Sequence, residues 1–98
     1  MSFKILISVY AETDIFDAVL WYEEQLKGLS ESFEKNLENG LESIKNNPYQ
    51  YQIRYKNVRV HFINRFPYSI YYKIVESKIK VIAVYHTSRD PRILKNRN

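Results

Sequence analysis

The chain has 98 residues with no cysteine, and aromatic side chains make up 15% of it, nine of them tyrosines. This length predicts a single domain over residues 1–98 with one two-layer core, and the missing cysteines exclude disulfides, thiolate metal sites and cysteine nucleophiles. Residues 1–46 hold four basic and nine acidic side chains, a net −5, whereas residues 47–98 hold eleven basic ones against Glu76 and Asp90, a net +9, so an anionic partner is expected for the second half.

Phe3, Ile5, Ile7 and Val9 alternate with other residues and predict a first strand with those four on one face. A helix then starts near Ala11 or Thr13, its stripe formed by Ile15, Ala18, Val19, Tyr22 and Leu26. Gly28 supplies the left-handed residue that commonly ends a helix. Ser30 or Ser32 is expected to cap a second helix with the stripe Phe33, Leu37, Leu41 and Ile44. Asn47 and Pro48 stop it, since a residue before proline is pushed out of the helical region. Residues 13–46 thus predict an antiparallel helix hairpin, apolar on one side and acidic on the other.

After Pro48 the period changes to two. Tyr51, Ile53 and Tyr55 alternate, Lys56 and Asn57 mark a turn, and Val58, Val60 and Phe62 alternate with Arg59, His61 and Ile63. Two further strands follow around a tight turn at Glu76 and Ser77. Ile70, Tyr72 and Ile74 should share a face of one, and Ile79, Val81, Ala83 and Tyr85 a face of the other. The last ten residues offer Ile93 and Leu94 as anchors and predict a docked turn with a loose basic end. The expected class is α+β, in the order β-α-α-β-β-β, with the helix hairpin on one face of a mostly antiparallel sheet.

The chemistry is narrowed by what is missing. Two glycines, both in the helical half, leave no phosphate-cradling loop. Two histidines without cysteine make a zinc site improbable on composition, and no nucleophile-elbow context exists for a serine triad. No metal and no cofactor are expected. The first ten residues contain one lysine and no small-residue cleavage pattern, and no apolar run nears the roughly 18 residues of a membrane span. A soluble, cytoplasmic protein with no membrane partner is therefore expected.

Two motifs stand out: Arg65-Phe66-Pro67-Tyr68-Ser69-Ile70-Tyr71-Tyr72, and His86-Thr87-Ser88-Arg89-Asp90-Pro91. An aromatic-proline-aromatic corner sets where a strand begins, because proline presets φ and donates no ladder hydrogen bond. The pair FPY-x-I-x-Y and H-x-x-R-D-P resembles the toxins of the RelE/ParE superfamily of bacterial type II toxin–antitoxin modules. Trp21-Tyr22, Asn47-Pro48 and Val58-Arg59 also fall where members of that family tend to carry them.

The resemblance implies a toxin neutralised by a cognate acidic antitoxin protein, and it leaves two mechanisms open. The ParE branch acts by binding DNA gyrase without chemistry of its own; target contacts would then fall to Arg59, Arg65, Arg89 and Arg92. The RelE branch cleaves mRNA on the ribosome, with Arg65, His86 and Arg89 as the catalytic candidates. Histidine is the side chain type suited to proton transfer near neutrality, and arginine stabilises a phosphorane-like transition state. The RelE branch usually carries a late tyrosine, and here none follows His86, which favours the ParE reading. A non-toxic interaction domain of the same fold is the third possibility. Phe66, Pro67, Tyr68 and Tyr72 read first as fold-defining core, and Arg89, Asp90 and Pro91 as a salt-bridged turn ending the last strand. His86 could equally hydrogen-bond Asp90 or a backbone carbonyl.

Overall fold

A computed structural model describes residues 2–97; the side chains of Pro91 and Ile93 lie outside the described part. The elements run β1 (Lys4–Ile7), α1 (Val9–Gln25), α2 (Leu29–Asn46), a 3-10 turn η1 (Pro48–Gln50), β2 (Ile53–Tyr55), β3 (Val58–Phe62), β4 (Tyr68–Val75), β5 (Lys78–His86) and a second 3-10 turn η2 (Pro91–Asn96). The strands lie in the order β1-β5-β4-β3-β2, with β1 parallel to β5 and every other pair antiparallel. This is the expected α+β layering with a short edge strand in addition.

The ends of α1 differ from the sequence expectation. Ser8 is its N-cap, and the Ser8 hydroxyl accepts the Ala11 N–H at 3.1 Å. Val9 therefore opens the helix instead of closing the strand, and it is 77% exposed. Leu26, placed on the buried stripe by spacing, is 63% exposed because the helix ends at Gln25. Gly28 has the left-handed φ of 89° and serves as N-cap of α2. Ser30, expected as a cap, instead donates its hydroxyl to the Glu23 carboxylate at 2.6 Å, tying the two helices at their junction.

Ala18, Tyr22, Phe33, Leu37 and Ile44 pack on the helix-facing side of the sheet with Ile70, Tyr72, Ile79 and Val81. Tyr72 is fully buried and donates its hydroxyl to the Pro48 carbonyl at 2.6 Å, so it anchors the chain just beyond α2. Burial pushes its phenol up to about 12. Gly40 permits close approach of α2: a Cβ there would stand 3.1 Å from Ile70 Cδ1 and 3.2 Å from the His61 ring.

One expected face is broken. In β5 the register against β4 slips between Val81 and Ala83, so Ile82 is the extra residue of a β-bulge. Ile79 and Val81 face the helices, whereas Ala83 and Tyr85 join Val58, Val60, Tyr71 and Leu94 on the other face. Pairing to β1 ends at Ile7 and Val81, just before the bulge. Side chains close the gap: Asp14 of α1 accepts the Val84 N–H at 3.0 Å, and Arg97 donates to the Ile82 carbonyl at 3.2 Å. Asp14 and Arg97 pair with each other at 2.6 Å, both largely buried. The basic end expected to be loose is held at Arg97, and Leu94 is fully buried beneath it.

Candidate functional site

Two adjoining hollows sharing Trp21, Tyr68 and His86 form a cleft where the start of β4 and the end of β5 meet α1. Tyr22 and Pro67 complete one hollow; Asp14, Asp17, Val84 and Arg89 complete the other. The cleft exists because of the corner between β3 and β4. Tyr68 N–H bonds back to the Phe66 carbonyl at 2.7 Å, a three-residue turn centred on Pro67 that suits its preset φ. The Pro67 carbonyl then accepts the Thr87 N–H at 2.8 Å, which extends the link between the two strands past His86.

Under the cleft lies an aromatic cluster. Phe66 meets Tyr22 and Phe33 edge-on at 4.9 and 5.4 Å, and Tyr68 meets Phe33 edge-on at 5.2 Å. Phe66 and Tyr68 are half-buried, and Tyr72 is wholly buried. Pro67 is exposed; it shapes the corner and the mouth of the cleft without entering the core.

His86 is exposed at the end of β5, its ring 5.4 Å from that of Tyr68. Its Nδ1 accepts the Ser88 N–H at 3.1 Å and lies 2.8 Å from the Ser88 hydroxyl, so its partner is Ser88, neither Asp90 nor a carbonyl. Arg89 places its guanidinium 4.3 Å over the Tyr85 ring on the far side of β5. Asp90 caps η2 and pairs with Arg92 at 2.7 Å. Pro91 belongs to that turn through its backbone alone, its side chain being outside the described part.

The predicted arginines do not converge. His86 and Arg89 share a hollow, but Arg65 is absent from its lining and sits exposed in the β3–β4 connection with a left-handed φ of 70°. Arg59 is occupied locally: its Nη1 donates to the carbonyls of Tyr49 at 3.0 Å and Tyr51 at 2.7 Å, which fastens η1 to β3. Arg92 faces a different hollow, shared with Arg54, Tyr55, Lys56 and Lys95.

Electrostatics at the cleft are mixed. Asp14 and Asp17 line the hollow that holds His86 and Arg89. Burial raises the phenols of Tyr22 and Tyr68 above the ordinary tyrosine value, so both are neutral hydroxyl groups at physiological pH. Among the described residues no cluster of three His, Cys, Asp or Glu could hold a metal, and no helix is long and apolar enough to cross a membrane.

Sequence reasoning missed the outer face of α1. Trp21, which lines the cleft, is 55% exposed, and further round the helix Phe16 and Leu20 are 61% and 47% exposed. Their signal was available: Val9, Phe16 and Leu20 recur at i, i+7 and i+11, a second apolar stripe on a helix that already had one.

A family model described as "ParE toxin of type II toxin-antitoxin system, parDE" matches residues 5–91. No curated protein matches the chain in sequence. Among solved structures, one described as "Chromosomal ParDE TA system from P. aeruginosa" is similar with a TM-score of 0.77 at 11% identity, over 86% of this chain and 95% of that one. At that identity the likeness is one of fold.

Proposed function

From the premise that the chain belongs to the ParE toxin family of type II toxin–antitoxin systems, we propose that it acts by binding DNA gyrase without catalysis and is neutralised by a cognate antitoxin. The observation that carries the binding mechanism is the make-up of the cleft. A nuclease would bring cations and a proton-transfer group together where a scissile phosphate sits. Here Asp14 and Asp17 line the hollow of His86 and Arg89, Arg65 stands apart, and the neighbouring phenols are neutral. Asp14 is already paired with Arg97, and the Asp17 carboxylate beside the exposed His86 disfavours a phosphodiester there. Exposed Trp21 instead offers an aromatic anchor on the rim of the pocket, and Phe16 and Leu20 add apolar surface further round the same helix, the usual basis of a protein–protein contact.

The same surface suits the antitoxin. An amphipathic segment that folds on binding would lay its apolar side against α1 and the cleft. Its acidic side would meet Arg89 and the basic half of the chain, mainly quickening association.

Gyrase supercoiling assays with the purified chain test the target, alongside protein synthesis in a cell-free extract. The proposal expects supercoiling to fall while synthesis continues. Intact supercoiling together with cut messages on ribosomes would establish the RelE-like alternative instead. His86→Ala sharpens the choice: a binder retains most of its activity, whereas a nuclease using His86 loses roughly 10²–10⁴-fold in rate.

A further inference from the structure

The face of the sheet turned away from the helices has two ends. Toward His86 it is roofed by η2, with Leu94 buried against Val58, Tyr71 and Tyr85. At the other end stand the turns after β2 and β4, and there the face is open. Lys73 and Lys80 lie directly opposite each other across β4 and β5, and Lys4 and Lys78 do so across β1 and β5. Lys78 and Lys80 are two residues apart on one strand, so they share this face at about 6.7 Å spacing.

Like charges directly opposite destabilise a sheet, and no carboxylate answers these. Among the described residues the only ion pairs are Asp90–Arg92 and Asp14–Arg97. Glu76, in the β4–β5 turn, is the one acid that β2 to β5 and their turns bring to this end. Lys4 also borders a hollow with Glu38 and Glu42 of α2, which leaves Lys73, Lys78 and Lys80 as the centre of the cationic surface.

The cationic surface continues across the sheet. Arg59 pairs with Tyr72, which brings the preceding Val58 beside Lys73, and Val58 pairs with Tyr55. Tyr55 opens onto the hollow between β2 and η2, whose remaining lining is Arg54, Lys56, Arg92 and Lys95. With strands about 4.8 Å apart, the track runs from β5 to β2, four strands and roughly 14 Å.

Recognition here is by charge. An acidic peptide that folds on binding needs apolar anchors, and those lie on the other layer around Phe16 and Trp21. Among the described residues, Leu6, at 36%, is the only large apolar side chain of this end and face that is exposed. A row of cations without apolar anchors, of which only Arg92 is ion-paired, matches a phosphate backbone, which is held by charge and carries no sequence information. We infer that this face binds the phosphodiester backbone of nucleic acid without sequence preference. The inference does not depend on which macromolecule the toxin inhibits.

Fluorescence anisotropy of the purified full chain with a short labelled single-stranded oligonucleotide, between about 50 and 200 mM salt, tests it. Affinity should fall linearly on log–log axes. The combined Lys73→Gln, Lys78→Gln and Lys80→Gln variant should lose about 0.7 of slope per lysine, with a melting temperature unchanged or raised by relief of repulsion. Lys35→Gln with Lys45→Gln, on the outer side of α2, should leave the slope intact. If the triple variant melts lower, Arg54→Gln with Lys56→Gln repeats the slope measurement at the far end of the track. Absence of binding at the lowest salt, an unchanged slope in the lysine variants, or an equal loss in the α2 pair would overturn the inference. Tighter binding of a poly-glutamate peptide of equal charge would overturn it too, assigning the face to an acidic protein segment.

Discussion

The two helices of the hairpin have almost the same length, 17 and 18 residues, and pack on the same side of one sheet, yet they use their residues differently. In α2 the apolar side chains Phe33, Leu37 and Ile44 are buried, and the outer face is Glu31, Glu34, Lys35, Glu38, Glu42 and Lys45. That helix is finished by this chain alone. In α1 the inward positions Ala11, Ala18 and Tyr22 are buried, but Phe16, Leu20 and Trp21 point outward. Of these, Trp21 lines the cleft, and Phe16 and Leu20 lie further round the helix. One helix is covered on its outer side by charge; the other leaves these three large apolar side chains uncovered.

The largest effect should come from the inward side of α2. Phe33 is fully buried and touches Tyr22, Phe66 and Tyr68. Phe33→Ala should cost about 3–5 kcal/mol in denaturant unfolding, and a loss under about 1 kcal/mol would mean that the aromatic cluster collapses around the hole without penalty. Next is the inward side of α1. Asp14→Ala leaves Arg97 unpaired and the Val84 N–H without its acceptor, and should cost about 3 kcal/mol. An unchanged unfolding midpoint would show that the side-chain closure of β5 is dispensable.

The outward faces carry the comparison itself. Phe16→Ser with Leu20→Ser should alter stability by no more than about 0.5 kcal/mol but weaken partner capture by about 2 kcal/mol or more. Glu34→Ser with Glu38→Ser on α2 should change neither. Equal losses from both pairs, measured by calorimetric titration of the antitoxin, would erase the distinction between the helices.

Two smaller effects are read from pH. Burial lowers the His61 imidazole below its ordinary value where it packs on Gly40. A depressed folded pKa favours the neutral ring, so its stability contribution is full above the unfolded value of about 6.5 and is lost as the pH falls through the folded value. His61→Asn should flatten the stability curve below neutrality. Smallest is the junction of the helices. The Ser30 hydroxyl, and then the Gly28 N–H, hold the exposed Glu23 carboxyl below the ordinary glutamate value. Its contribution is present above the unfolded pKa and disappears as acid protonates the folded carboxylate. Melting curves of Glu23→Gln should therefore match the parent in acid and fall slightly below it at neutral pH.

Much of the layering was legible in the chain because it is written in local periods. Phe33, Leu37, Leu41 and Ile44 repeat at helical spacing, and Ile70, Tyr72 and Ile74 at strand spacing; each set lies on the helix-facing side of the sheet as read. The β5 alternation was legible only as far as Val81. Beyond it the bulge at Ile82 moves Ala83 and Tyr85 to the other face, and no residue type in that run announces an extra residue. The FPY corner showed where β4 begins. That Arg59 is spent on the carbonyls of Tyr49 and Tyr51, while Arg89 reaches Tyr85 and Asp14 reaches Arg97 across 83 positions, was not visible.

The division has one physical cause. Periodicity, capping residues and turn chemistry act over a few neighbouring residues, so composition and order alone determined the element types, the helix hairpin and the lopsided charge. Which of two apolar stripes on α1 is covered, which arginine finds a carbonyl, and which lysines face one another depend on strand order and register. Those are settled by packing between residues far apart in the chain, and only the tertiary structure decided them.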